Sequence, residues 1–240
     1  MFDTLNNTIH IYENLTAGTL IRRYKRFLAD VKTVGGETVT AFCPNTGSMR
    51  SCSEPGSLVM LSKHNKPERK TKYTLEMVRS NETWVGVNTL LTNDLAARII
   101  KDGHLDDLFW RDLEIVRRET VHEDSRLDFL LTHKEKPVYM EVKSVTLRMG
   151  NRAQFPDSVT VRGKKHMNTL AKLARQGIGA AVLFLVQRSD CASFSPADDI
   201  DPAYTISLIE ALGSGVQSAA CMLDVNPERI EFIGSIPINI

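Results

Sequence analysis

The chain has 240 residues, 42% of them hydrophobic and 25% charged, with a net charge of +1 at pH 7. That length suits one large domain or two modest ones with a real core, and the absence of any internal repeat or low-complexity tract excludes a solenoid and a disordered chain. The charge is segregated: residues 1–91 hold twelve Lys/Arg against eight Asp/Glu, residues 92–197 seventeen against fourteen, and residues 198–240 one against seven, a distribution that can line a basic groove on a nearly neutral protein.

The start, Met1-Phe2-Asp3-Thr4, has neither a basic n-region nor an apolar h-region, so no secretion signal is expected. Residues 19–31 read as one strand that mixes basic, aromatic and apolar positions, with Arg22, Tyr24 and Arg26 on one face and Arg23, Lys25 and Phe27 on the other. Gly35-Gly36 is a hairpin signal, residues 37–43 alternate, and Pro44-Asn45-Thr46-Gly47 and Pro55-Gly56 are turns. Strands follow at 57–61, 72–78 and 83–87. Five short strands in this span suit a small closed barrel, an OB-fold, although an SH3-like barrel gives much the same pattern. We place this barrel at residues 1–88. Lys63, Lys66, Arg69, Lys70 and Lys72 cluster in one of its loops.

A second domain is expected over residues 89–240. Thr92-Asn93-Asp94 opens a helix whose apolar stripe is Leu95, Ile99 and Ile100, ending at Gly103. Strand candidates lie at 113–120, 126–131 and 138–145, and a basic helix spans 162–176 with Met167, Leu170 and Leu173 on its apolar face. Residues 180–186 are continuously apolar, as in a strand buried on both faces, and too short to cross a bilayer. Asp201-Pro202 opens a last helix to about Gly215, and a strand or two close the chain. The order helix, three strands, helix, strand describes an α/β sandwich within a two-domain α+β/α/β chain. Cys43, Cys52, Cys191 and Cys221 form no Cys-x-x-Cys pair and read as reduced thiols, consistent with a cytoplasmic protein.

The chemistry concentrates in two segments. In Tyr139-Met140-Glu141-Val142-Lys143-Ser144-Val145, Glu141 and Lys143 project from one face of a strand. In Ser125-Arg126-Leu127-Asp128-Phe129, Asp128 lies between Leu127 and Phe129, which face the core. If the two strands pair antiparallel, Asp128 lies beside Glu141. Two such carboxylates, with the backbone carbonyl of Val142, suit Mg2+ or Mn2+, and Lys143 would polarise a water or steady charge on a phosphate. A surface Glu–Lys pair is the plainer alternative.

Around this core, Arg22, Arg23, Tyr24, Lys25 and Arg26 offer cations and a stacking ring to a nucleic acid, and the loop at Asn45 and Thr46 can bring backbone amides to a phosphate. Arg126 flanks Asp128, and Arg162, Lys165 and His166 share one helical face that would grip a phosphate. Asp157 is either a third acidic group or, as we favour, a cap, while Gln187 and Arg188 at the end of the apolar strand stay ambiguous.

Several longer motifs carry a resemblance. Arg23-Tyr24-Lys25-Arg26-Phe27-Leu28-Ala29-Asp30-Val31, Cys43-Pro44-Asn45-Thr46-Gly47-Ser48-Met49, Val87-Asn88-Thr89, the two segments above continued to Thr146-Leu147, Phe155-Pro156-Asp157-Ser158-Val159-Thr160 and Arg162-Gly163-Lys164-Lys165-His166 resemble the sugar fermentation stimulation protein (SfsA) family over residues 18–220. The resemblance implies an N-terminal OB-fold, a C-terminal PD-(D/E)xK nuclease-like domain, non-specific DNA binding and a link to sugar (maltose) metabolism genes. It carries Asp128, Glu141 and Lys143 over as the Asp…Glu-x-Lys core. The chain departs from the wider nuclease superfamily in one place: the preceding helix, which often supplies a further Glu, here offers Asn93 or Asp94. Two functions are therefore expected to compete, a metal-dependent DNA phosphodiesterase and a DNA-binding regulator without turnover. A phosphate-ligand enzyme is disfavoured because Gly163-Lys164 lacks the glycines of a phosphate loop. The sequence fixes no oligomeric state, and a homodimer is compatible with it.

Overall fold

The computed structural model describes residues 7–65 and 68–240; Lys66 of the loop cluster lies outside them. The strands in chain order are β1 (Thr8–Ile11), β2 (Thr16–Tyr24), β3 (Leu28–Thr33), β4 (Thr38–Phe42), β5 (Leu58–Lys63), β6 (Tyr73–Ser80), β7 (Thr83–Gly86), β8 (Glu114–His122), β9 (Ser125–His133), β10 (Lys136–Val145), β11 (Leu147–Met149), β12 (Arg152–Phe155), β13 (Gly179–Val186), β14 (Ser193–Pro196), β15 (Gln217–Val225) and β16 (Arg229–Ile236). The helices are α1 (Thr92–Lys101), α2 (Val161–Arg175) and α3 (Pro202–Gly213).

Strands β2 to β6 close into a five-stranded barrel. The strand order is β4-β3-β2-β5-β6, and β4 pairs back onto β6 in parallel through Ala41 with Tyr73 and Phe42 with Thr74. Strand β7 extends the sheet from β6. One parallel closure among antiparallel neighbours is the OB topology, which resolves the ambiguity with an SH3-like barrel. Leu20, Val31, Ala41, Val59, Leu61, Leu75 and Val85 fill the interior.

Residues 19–31 are two strands, not one. Lys25 and Arg26 both take positive φ, 49° and 66°, as the two central positions of a tight hairpin turn require. Face alternation therefore stops at Tyr24, and Arg26 does not share a strand face with Arg22. The Gly35-Gly36 turn forms as read, with Gly36 at φ 84° and its amide on the Thr33 carbonyl.

The second half is built on a seven-stranded mixed sheet ordered β1-β16-β15-β13-β10-β9-β8. Strands β10, β13 and β15 run parallel at its centre. The continuous apolar run in β13 divides its side chains between two cores. Ala181, Leu183 and Leu185 face α1; Val182, Phe184 and Val186 face α2 and α3. Helix α2 starts where Thr160 Oγ accepts from Gly163 N at 3.0 Å, and α3 starts where Asp201 Oδ1 accepts from Tyr204 N at 3.0 Å with Pro202 in its first turn. A small sheet, β11-β12-β14, packs on the α2–α3 side through Ala153 and Phe194. Strand β1 is the edge of the large sheet, antiparallel to β16, so a strand that precedes the barrel in the chain belongs to this half. No helix among the described residues is long and apolar enough to cross a membrane.

Candidate metal and nucleic-acid site

Strands β9 and β10 pair antiparallel down to Met140 with Phe129. The next step would set Glu141 opposite Asp128. There the ladder stops, and the Val142 amide donates instead to Asp128 Oδ2 at 2.8 Å. On the other side, β8 meets β9 at Arg118 with Phe129 and at Thr120 with Leu127, but Glu119 between them takes a φ of 55°. Across this stretch the buried side chains of β9 change sides. Phe129 enters the α1-side core and Leu127 the α2-side core. Both are fully buried, as expected, but on opposite faces. Asp128 sits at the crossover, where its second oxygen, Oδ1, accepts from Asn93 Nδ2 of α1 at 2.9 Å.

Glu141 and Lys143 project from β10 toward α2, with 3% and 9% of their surface exposed. Lys143 Nζ donates to Glu141 Oε1 at 2.7 Å. The same oxygen meets His166 Nδ1 from the first half of α2, while His166 Nε2 accepts from Arg162 Nε at 3.4 Å. These partners make Nδ1 the protonated nitrogen of His166. The other carboxylate oxygen, Glu141 Oε2, is buried and has no hydrogen-bond partner. Burial pushes the Glu141 pKa up, but the Lys143 ammonium and His166 outweigh it and hold the carboxyl below its usual value. Asp128 moves the other way: burial, then the nearby Glu141 charge, raise it, against the Val142 amide, Asn93 and Lys143.

These groups line a cleft of about 380 Å³ together with Thr89, Arg118 and Arg162. An adjoining cleft of about 300 Å³ shares Thr89, Val142, Lys143 and Ser144 and is walled by Asn45, Thr46 and Gly47 of the barrel. Among the described residues no three His, Cys, Asp or Glu side chains converge on one ion site. Any divalent cation would therefore rest on the two carboxylates, a backbone carbonyl such as that of Val142, and water. Oxygen ligands of this kind suit a hard cation, and the orphaned Glu141 oxygen is an acceptor that such an ion would satisfy.

The other residues singled out in the sequence fall into three places. Arg162 is exposed at the cleft mouth, and Lys165 reaches Asp124, 2.7 Å to its carbonyl and 2.9 Å to its carboxylate. Arg126 pairs with Glu119 on the surface. His166 points inward to Glu141 and does not share the solvent face of Arg162 and Lys165. In the barrel, Arg22 pairs with Asp30 at 2.8 Å and lies over the Tyr24 ring. Arg23 is turned to the protein: its Nη2 donates to the carbonyls of Arg26, Asn45 and Gly47 at 2.6, 2.8 and 2.8 Å. Arg26 Nε donates to the Thr46 carbonyl at 3.1 Å, and Lys25 and Thr46 are exposed. Asn45 is buried, and its Oδ1 accepts from Gly47 N at 2.8 Å.

Asp157 is a cap, as favoured, but of a distant loop. Its Oδ2 accepts from Met49 N at 3.0 Å, and its carbonyl accepts from Ser48 Oγ at 2.6 Å. A Cβ on Gly47 would stand 2.3 Å from this carboxylate, so a larger residue there would have to displace the Asp157 side chain from the loop. Sequence reasoning missed Arg118 as a cleft residue. It is one of several exposed charged positions on β8, and nothing in their spacing singles it out.

Two family models cover most of the chain: the SfsA N-terminal OB domain matches residues 21–87, and the sugar fermentation stimulation protein RE domain matches residues 90–229. A sugar fermentation stimulation protein homolog of Desulfotalea psychrophila is 48% identical over 213 residues, 89% of this chain and 90% of that one. The homolog of Gloeobacter violaceus is 43% identical over 229 residues, covering 95% and 96%. The solved structure of Pyrococcus furiosus SfsA in complex with Ca2+ superposes with a TM-score of 0.89 at 28% identity, covering 97% of this chain and 99% of that one.

Proposed function

The chain belongs to the sugar fermentation stimulation protein family, and from that premise we propose that it binds DNA without sequence preference and hydrolyses a phosphodiester at Asp128, Glu141 and Lys143. The observation that carries this reading is Glu141 Oε2, a buried carboxylate oxygen with no protein partner, beside a second carboxylate in an open cleft. Asp128, Glu141 and the Val142 carbonyl would hold Mg2+ or Mn2+, and the relative from Pyrococcus furiosus was solved with Ca2+, another hard divalent ion. When bound, such an ion supplies positive charge to the scissile phosphate and acidity to a water.

The chain's own residues do the rest. Lys143 Nζ lies 2.7 Å from Glu141 Oε1 and places a positive charge at the cleft floor, where it can meet charge developing on the phosphate. His166, fixed by Arg162, keeps Glu141 ionised and oriented. Arg162 and Arg118, the latter also paired with Asp94 at 2.6 Å, line the same cleft and would offer guanidinium donors to the DNA backbone. The barrel loop at Asn45 and Thr46 supplies the neighbouring wall.

A second reading, a DNA-binding regulator of sugar metabolism genes without turnover, is favoured by one observation. Both Asp128 oxygens already accept hydrogen bonds, from Asn93 and from Val142 N, and Asn93 sits on the helix from which related nucleases often supply a further Glu. One assay separates the two. Purified protein, Asp128→Ala and Glu141→Ala are incubated with single- and double-stranded DNA and Mg2+ or Mn2+. Cleavage lost in both variants, by roughly 100-fold or more, supports hydrolysis. Steeply salt-dependent binding with no cleavage supports the regulator. Failure to retain DNA at low salt sinks both.

A further inference from the structure

A separate polar cleft lies at the seam of the two halves, with a volume of about 290 Å³. The barrel side contributes Ser51, Ser57 and Arg79, and the other side Arg148 and Arg188. It shares no lining residue with the candidate metal cleft.

Arg188 forms its floor. Its side chain is 1% exposed and forks onto Asp190, Nε to Oδ1 at 2.6 Å and Nη2 to Oδ2 at 2.8 Å. Its Nη1 donates to the Thr146 carbonyl at 3.1 Å and to Ser51 Oγ at 3.4 Å, so the guanidinium is fully engaged. Arg148 reaches the same carboxylate by one longer contact, Nη1 to Asp190 Oδ2 at 3.3 Å, and its Nε is buried with no hydrogen-bond partner. A single carboxylate thus serves two guanidiniums, which leaves one positive charge uncompensated in a partly desolvated place. Arg79 pairs with Glu82 at 2.9 Å, but that carboxylate is 93% exposed, and a pair so open to water contributes little. Glu54, on the exposed rim, is the opposing charge in the lining.

A buried guanidinium donor without an acceptor calls for a partner, and planar N–H forks with hydroxyls beside them match the oxygens of a phosphoryl group. The volume is about ten times the ~30 Å³ share of one water, enough for a phosphate and part of what it is esterified to. We propose that this seam cleft is a phosphate-binding site, with Arg79 and Arg148 as ligands and Arg188, through Asp190, as the residue that positions Arg148. The same chemistry is presented by a nucleic-acid backbone and by a free phosphorylated compound.

The test uses the full chain, with Arg79→Gln, Arg148→Gln and Asp128→Asn. Inorganic phosphate is titrated calorimetrically against chloride at equal ionic strength. The expected result is saturable binding in wild type and in Asp128→Asn, weakened about tenfold or more in the two arginine variants, the loss of one charge-assisted hydrogen bond. Arg79→Gln leaves the buried Arg188–Asp190 pair intact and keeps the test decisive if Arg148→Gln does not fold. Phosphate affinity unchanged in the arginine variants that fold, or no binding in wild type, overturns the proposal. The salt dependence of oligothymidylate and duplex binding then identifies the source. A slope reduced by about one in Arg79→Gln supports a site for the nucleic-acid backbone. An unchanged slope with phosphate binding intact in wild type supports a site for a free phosphorylated compound. Because Asp128→Asn retains phosphate under this proposal, its failure and the failure of the hydrolytic reading are told apart.

Discussion

Glu76 is 4% exposed in the barrel, where its carboxylate accepts from Ser62 Oγ at 2.5 Å and Asn88 Nδ2 at 2.8 Å. Burial raises its pKa above the ordinary carboxylate value of 4.5, against those two hydrogen bonds. A raised carboxyl binds its proton more tightly in the folded than in the unfolded chain. Stability from this group is therefore present in acid and declines as pH rises from 4.5 through the raised value. Glu76→Gln removes the titration. Urea midpoints of wild type and variant measured across this window are expected to diverge, wild type losing ground as pH rises; parallel curves would contradict it. Glu141 is the contrast at the same scale. It is equally buried, but Lys143 and His166 hold its carboxyl low. Two buried carboxylates thus differ in charge preference because one faces neutral donors and the other faces a cation.

Among the elements, α2 and α3 are joined at their starts by one side chain. Asp201 Oδ1 caps α3 through Tyr204 N, and its Oδ2 accepts from Thr160 N at 2.8 Å, next to the Thr160 cap of α2. Asp201→Ala removes the cap and orphans a second amide, and should cost about 2 kcal/mol in chemical denaturation, with Thr160→Ala costing about 1 kcal/mol. These caps were legible in part. Asp201-Pro202 announced α3, and the apolar periodicity of Met167, Leu170 and Leu173 announced α2, because local propensity and burial agree there. The Glu-x-Lys strand and its partner were legible for the same reason: β9 and β10 are adjacent hairpin strands. What stayed hidden depends on distant pairing or on backbone distortion. Strands β11, β12 and β14 are short, with β12 and β14 meeting across about forty residues, the Lys25-Arg26 turn lacks the usual Asn or Gly, and the change of side along β9 at Asp128 leaves no mark in the sequence. His166 read as a phosphate-facing residue because helical spacing places it near Arg162, while only the docking of α2 decides that it turns inward to Glu141.

On the scale of the whole molecule, the seam between barrel and sheet joins an apolar contact, Met77, Met60 and Trp84 of the barrel packing into the α1-side core, to a set of polar ones. Asp157 caps the amide of Met49, Ser48 bonds the Asp157 carbonyl, and the Gly86 amide donates to the Gln187 carbonyl at 2.9 Å. Asp157→Ala is expected to lower stability by about 1–3 kcal/mol and to raise amide exchange at residues 47–49 ahead of the β10–β13 core. Exchange unchanged at those amides would refute the clasp. Strand β1 extends the same theme in time. Thr8 pairs with Glu231 and Ile11 with Arg229 at the sheet edge, so β1 cannot dock until β16, made after the whole barrel, has left the ribosome. The barrel, whose strands are near neighbours in sequence, can close while its flanking strand still waits. The β1–β16 register therefore forms late although β1 precedes the barrel in the chain, and an emerging chain stalled before residue 229 would carry a finished barrel on an unfinished sheet.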